Sequence, residues 1–161
     1  MSFLAGAYTV THGGATIGQI NGGTTIEHFV NKQLVTGDNQ GLSPQDAVFQ
    51  GEEVFMEMQL MEYDLAQAKL AFWPYAATFG VAGIVGRLDV QSALTKTIVL
   101  TAVAGTPADT LNEPQSLTAG RAILAEGFPV RMLFAPRTRE IPLRFRLYQQ
   151  ANGNYFDLVE V

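Results

Sequence analysis

Between residues 52 and 62 the chain alternates with a period of two: Val54, Met56, Met58 and Leu60 share one parity, Glu57 and Gln59 the other. Ile141, Leu143, Phe145 and Leu147 repeat the pattern against Arg144 and Arg146 near the C-terminus. Successive side chains of a strand point to opposite faces, so this spacing predicts sheet strands buried on one side. The other side, carrying Glu57, Gln59, Arg144 and Arg146, must meet water, a partner or a channel. These four residues are the candidate lumen or interface face.

The rest of the chain reads mostly as strand. Ala7 to His12 and Ala15 to Ile20 flank Gly13-Gly14, a pair suited to the positive φ angles of a tight hairpin. Thr24 to Val35 is a further extended segment. From Thr36 to Gln50 the sequence TGDNQGLSPQDAVFQ gathers turn-forming residues, which predicts a long loop, and long loops inside compact domains are commonly functional. Glu52 to Tyr63 is the long alternating strand. Asp64 is a good N-cap for a short helix over 64–72, with Leu65, Ala68 and Phe72 on one stripe and Pro74 beyond its end. Further strands are expected at Val85–Ala93, Lys96–Val103, Thr118–Glu126, Val130–Phe134, Arg139–Gln149 and Tyr155–Val159, with Asn152-Gly153 as a hairpin signal. The fold class is mainly β, within α+β: two packed antiparallel sheets, sandwich-like or barrel-like, with one short flanking helix.

Size and charge narrow what such a domain can do. At 161 residues with 47% hydrophobic content, a single domain spanning 1–161 is expected. The absence of cysteine removes disulfides and thiolate metal sites. Neither a basic leader nor a run of about 18 apolar residues is present, so the expectation is a protein made in the cytoplasm and not held in a membrane. A formal charge of -5 has the wrong sign for gripping phosphate backbones. DNA is expected at most to pass by without specific binding.

Candidate chemistry is sparse. His12 and His28 have no second ligand at helical spacing, and Ser2, Ser43, Ser92 and Ser116 lie outside any Gly-x-Ser-x-Gly turn. Glu52, Glu53, Glu57, Glu62 and Asp64 resemble paired carboxylates, but Glu57 belongs to the wet face of a strand and Asp64 to a cap. The Gly-Gly pairs lack a following helix and a P-loop lysine, which makes them turns. Phe72-Trp73-Pro74-Tyr75 is either a ligand platform or the packed end of the helix. Arg131, Arg137, Arg139, Arg144 and Arg146 form a basic cluster, either a solvated face or the counterpart of the acidic segment Glu52-Glu53-Glu57-Glu62 on another copy. No enzymatic activity, cofactor or metal is expected.

The order of these elements resembles a known family. Ile17-Gly-Gln-Ile-Asn-Gly-Gly-Thr-Thr-Ile-Glu27, the loop at 36–50, the strand Val54–Tyr63 running into helix 64–72, Phe128-Pro-Val-Arg-Met-Leu-Phe134, Ile141-Pro-Leu-Arg-Phe-Arg-Leu147, Asn152-Gly153 and Tyr155-Phe156 resemble the major tail tube proteins of long-tailed bacteriophages. The resemblance covers most of the chain. It implies two packed sheets flanked by a helix, a homohexameric ring, and rings that stack, with other tail proteins, into the virion tube through which DNA is ejected. It also implies that the loop, through Thr36, Gly37, Asp38, Asn39, Gly41 and Asp46, reaches a neighbouring subunit or ring. The tube protein of type VI secretion shares this architecture. A capsid decoration protein is a further structural alternative, and a small-ligand-binding β-barrel with Trp73, Tyr75 and Phe79 in its pocket is the alternative of another class.

Overall fold

The computed structural model describes residues 8–18, 20–37, 43–61, 65–77, 80–81, 94–105, 114–134 and 140–159. In chain order these form β1 (Tyr8–His12), β2 (Ala15–Thr16), β3 (Ile20–Thr36), β4 (Pro44–Leu60), α1 (Leu65–Ala71), β5 (Ala76–Ala77), β6 (Gly80–Val81), β7 (Lys96–Ala102), β8 (Ser116–Leu124), β9 (Ile141–Leu147) and β10 (Asp157–Val159). Strand Val85–Ala93 and the cap Asp64 fall outside the described residues.

Among the described residues one antiparallel sheet of eight strands dominates, ordered β2-β1-β7-β8-β9-β4-β3, with β10 also on β8, and β5-β6 form a separate pair. The expected division into two sheets is absent from this pairing because β8 stitches the halves together. It pairs β7 through Ser116–Ala122 and β9 through Ala122–Leu124, so no break separates two layers. The sheet is strongly coiled instead. β1 and β9 are three steps apart, about 14 Å in a flat sheet, yet the rings of His12 and Phe145 lie 5.9 Å apart. Tyr8 and Leu100 from one end of the order line the same cleft as Ile20 and Ile26 from the other.

Coiling makes one face concave, and alternation fills it. Val54, Met56, Met58 and Leu60 of β4 stand opposite Leu147, Phe145, Leu143 and Ile141 of β9, as the sequence period requires. With Val10, Ile98, Leu100, Ala119 and Ala122 they form the core, and Phe145, Met56 and Ile98 are wholly buried. Each large side chain so buried contributes roughly 1.5–3 kcal/mol. Helix α1, built from the good helix formers Leu-Ala-Gln-Ala-Lys-Leu-Ala, adds Leu70 and Ala71 to this core.

Three further expectations change. Residues 44–50 are strand: Val35, Leu34, Gln33 and Lys32 pair with Asp46, Ala47, Val48 and Phe49. The expected loop over 36–50 is thus corrected at 44–50, where cross-strand hydrogen bonding outweighs the turn preferences of Pro44 and Asp46, and its residues 38–42 lie outside the described residues. Val130–Phe134 is not a strand; Val130 and Met132 pack on the core without joining a ladder. Asn152-Gly153 does form a turn, with Gly153 N donating to Gln150 O at 3.0 Å, but it does not join neighbouring strands. β9 and β10 follow one another along the same edge of β8, and the turn closes a short excursion between them. The hairpin at Gly13-Gly14 is as expected, with φ of 58 and 86 and His12 opposite Ala15.

Candidate assembly surfaces

The face of β4 and β9 opposite the core is a charge ladder built around one aromatic ring. Register puts Glu57 opposite Arg144 and Phe55 opposite Arg146, while β3 places Glu27 opposite Phe55. Arg144 Nη2 donates to Glu27 Oε2 at 2.9 Å, and its Nε lies 3.2 Å from Glu57 Oε1, close enough for an ion pair but out of line for a hydrogen bond. Arg146 Nη1 donates to Glu53 Oε1 at 3.1 Å, and the same guanidinium donates to both carboxylate oxygens of Glu126. The two guanidinium carbons sit 4.1 and 4.6 Å from the centroid of Phe55, which Phe29 meets edge-on at 5.9 Å. Phe55 is thus buried on the polar face, under two arginines.

The electrostatics follow from these bonds. The hydrogen bond from Arg146 holds the Glu126 carboxyl below its usual value, and Glu126, then Glu53, raises the Arg146 guanidinium. Of the five arginines of the basic cluster, Arg144 and Arg146 are therefore engaged by acids of their own chain, while Arg137 and Arg139 lie outside the described residues. Of the four residues expected on a shared face, Glu57, Arg144 and Arg146 are brought together. Gln59 stands beyond them, exposed, opposite Pro142.

The second surface is the outer half of the β3–β4 hairpin. Both strands run 17 residues, roughly 55 Å of extended chain. Among the described residues no element covers their distal halves: residues 28–36 and 43–50 are exposed throughout. At the root of this arm Asn31 pairs with Gly51 and Lys32 with Phe49, leaving Gln50 as the extra residue of a bulge, and Gly51 adopts a φ of 145 that side-chain-bearing residues avoid. Beyond it Leu34, Phe49 and Val48 are 60%, 58% and 55% exposed. By register Val30, Leu34 and Phe49 prolong the core face, whereas Phe29, Val35 and Val48 prolong the opposite one. Thr36 and Asp46 belong to the arm's strands and Gly37 follows β3; Asp38, Asn39 and Gly41 lie outside the described residues.

Sequence reasoning missed this arm and the arginine cover over Phe55. The signal was present as adjacent apolar pairs, Phe29-Val30, Leu34-Val35 and Val48-Phe49, which break strict alternation and make both faces apolar. For Glu27 and Glu126 no local signal existed, since Arg144 lies 117 residues from Glu27 and Arg146 lies 20 residues from Glu126 in sequence.

The proposed aromatic platform divides. Trp73 meets the His12 ring edge-on at 4.8 Å, with Lys96 Nζ 5.4 Å from the indole, so it packs onto the core face. Tyr75 lines a different cleft beside Phe72 and Phe128, and Phe79 lies outside the described residues. His12 is buried, its Nε2 has no hydrogen-bond partner, and burial, assisted by Lys96, lowers its pKa to about 4. His28 is exposed and contacts Glu52 at 2.8 Å. Among the described residues no group of three or more His, Asp or Glu side chains converges as a metal site, and no helix is long and apolar enough to cross a membrane. Comparison with known protein families finds no match, and no curated protein is similar in sequence.

Proposed function

We propose that the chain is a structural, self-assembling subunit of a phage tail tube: copies join as a hexameric ring, rings stack with other tail proteins into a conduit, and DNA passes through without specific binding. The observation that carries this reading is the β3–β4 arm. A two-stranded ribbon is marginal in water by itself, and this one exposes Phe29, Val30, Leu34, Val35, Val48 and Phe49 on two faces. Such contiguous apolar surface marks an interaction site. The outer edge of β3, seventeen residues long and unpaired among the described residues, is a second incentive to associate, because a closed ring leaves no free edge. In this reading the two layers of a tube subunit are the two halves of the coiled sheet facing each other across the core. The ladder of Glu27, Glu53, Glu57 and Glu126 around two arginines leaves one face net acidic, which suits a wall that must not retain DNA.

The test is electron microscopy and light scattering of the purified chain at rising concentration, with and without nucleating tail components. Rings or tubes are expected. A strictly monomeric species under all these conditions refutes the reading. Shortening the arm by replacing residues 32–49 with a tight turn should leave a cooperatively melting domain that no longer elongates. Normal tubes from that variant remove the arm's role.

The alternative of a small-ligand-binding domain draws on one observation, a cleft of about 420 Å³ walled by Tyr8, Ile20, Ile26, Leu100, Leu117 and Leu158, with the Thr24 hydroxyl unpartnered in its wall. Native mass spectrometry separates the two, since that reading requires a monomer with a bound small molecule.

A further inference from the structure

The contact between His12 and Trp73 has no part in the assembly surfaces, and it joins a titratable group to a short element, the end of α1, that packs on the sheet from outside it. His12 lies between two rings: Phe145 of β9 at 5.9 Å and Trp73 at 4.8 Å. Its own strand contributes Val10 to this face, with the Tyr8 hydroxyl beyond donating to Pro114 O, and β7 contributes Ile98 opposite. The charge acting on the ring is that of Lys96, also on β7. Arg144 and Arg146 of β9 alternate with Phe145 and turn away, where Glu27, Glu53, Glu57 and Glu126 hold them. Lys69 of α1 is exposed.

A second proton on this ring therefore creates a cation beside a cation, in a place where its Nε2 has nothing to donate to. Burying a charge so placed is costly, and the ring must reach water. The two sides of the sandwich differ in what opening them breaks. Phe145 is wholly buried in β9, which is hydrogen-bonded to β4 and β8. Trp73 is only half-buried and follows a helix of seven residues that belongs to no sheet. The Trp73 side opens first.

We infer that His12 is an acid-sensitive latch: while neutral it holds Trp73 and the end of α1 on the concave face, and when protonated it releases them while the sheet persists. The release needs no other reactant than a proton from solvent. It would change the subunit's surface beside β1 and β7 without unfolding it.

The chain contains a single tryptophan, so Trp73 reports on its own release. The experiment follows Trp73 emission and its quenching by acrylamide from pH 7.5 to 4 on the full chain, with far-ultraviolet circular dichroism as the record of the sheet. A reversible red shift and a rise in quenching between pH 6.5 and about 4, with the dichroism unchanged, is the expected result. His12→Phe should keep Trp73 protected over the whole range. Lys96→Gln, which removes the cation that opposes a protonated His12 while leaving the imidazole, narrows the gap between the packed and released pKa values and should move the release midpoint to lower pH. The inference is overturned if the wild-type emission is flat, if the sheet signal is lost at the same midpoint, or if Lys96→Gln fails to lower the midpoint. The Lys96 variant keeps the test decisive should His12→Phe fail to fold.

Discussion

Arg146 can act through its charge or through the cover it gives Phe55, and the geometry says that cover contributes as much as charge. Its carboxylate partners stand largely in water, with side chains 42% exposed for Glu53 and 67% for Glu126 against 19% for Arg146 itself. Ion pairs of that exposure contribute about 0.2–1 kcal/mol each. Replacing Arg146 by Met removes both pairs but leaves an apolar chain of similar length over Phe55, so a loss of about 1 kcal/mol is expected. Replacing it by Ala also uncovers a ring that is otherwise 8% exposed, adding roughly 1–2 kcal/mol from lost cation–π and packing contact. Urea denaturation, which keeps ionic strength free to vary, measures both variants at low salt and at about 1 M, where the screening length falls to about 3 Å. The Met variant's deficit should shrink at high salt, as screening also relieves Glu53 and Glu126 of mutual repulsion, while the Met-to-Ala difference should persist. Equal losses for the two variants, both erased by salt, would show that Phe55 gains nothing from its arginine cover.

Phe145→Ala should cost about 3–5 kcal/mol by the cavity it leaves at the centre of the sheet, and Phe145→Asp or Leu60→Asp should give no cooperative melting transition, whereas Glu57→Gln should melt close to wild type; similar melting for both groups would invert the assigned faces. Glu126, whose folded-state pKa is depressed chiefly by the hydrogen bond from Arg146, stabilises the fold above its ordinary value of 4.5 and loses that contribution as pH falls below it. Removing its partner with Arg146→Met should therefore flatten the acid limb of stability against pH, and an unaltered limb would refute the pairing. Duplex DNA should bind no better than to an acidic control at physiological salt, given the net charge of -5; salt-sensitive submicromolar binding in a gel shift would contradict this.

Periodicity alone determined the two central strands. The parity of Val54, Met56, Met58 and Leu60, and of Ile141, Leu143, Phe145 and Leu147, fixes which side is buried, because a strand has only two faces and water distinguishes them. The helix over 65–71 and the Gly13-Gly14 turn were equally legible, since propensity and positive φ are properties of a few adjacent residues. What only the tertiary structure decided is everything that depends on a partner distant in sequence. Residues 44–50 became strand because β3 offered them a ladder, despite their turn-forming composition. Two expected sheets became one because β8 changes partner midway along its length. The arginines found acids on their own chain because strand register set them side by side, and His12 met Phe145 because coiling brings together strands that pairing order alone would hold about 14 Å apart. Local sequence sets which way a side chain points; long-range pairing and the curvature of the sheet set what it meets.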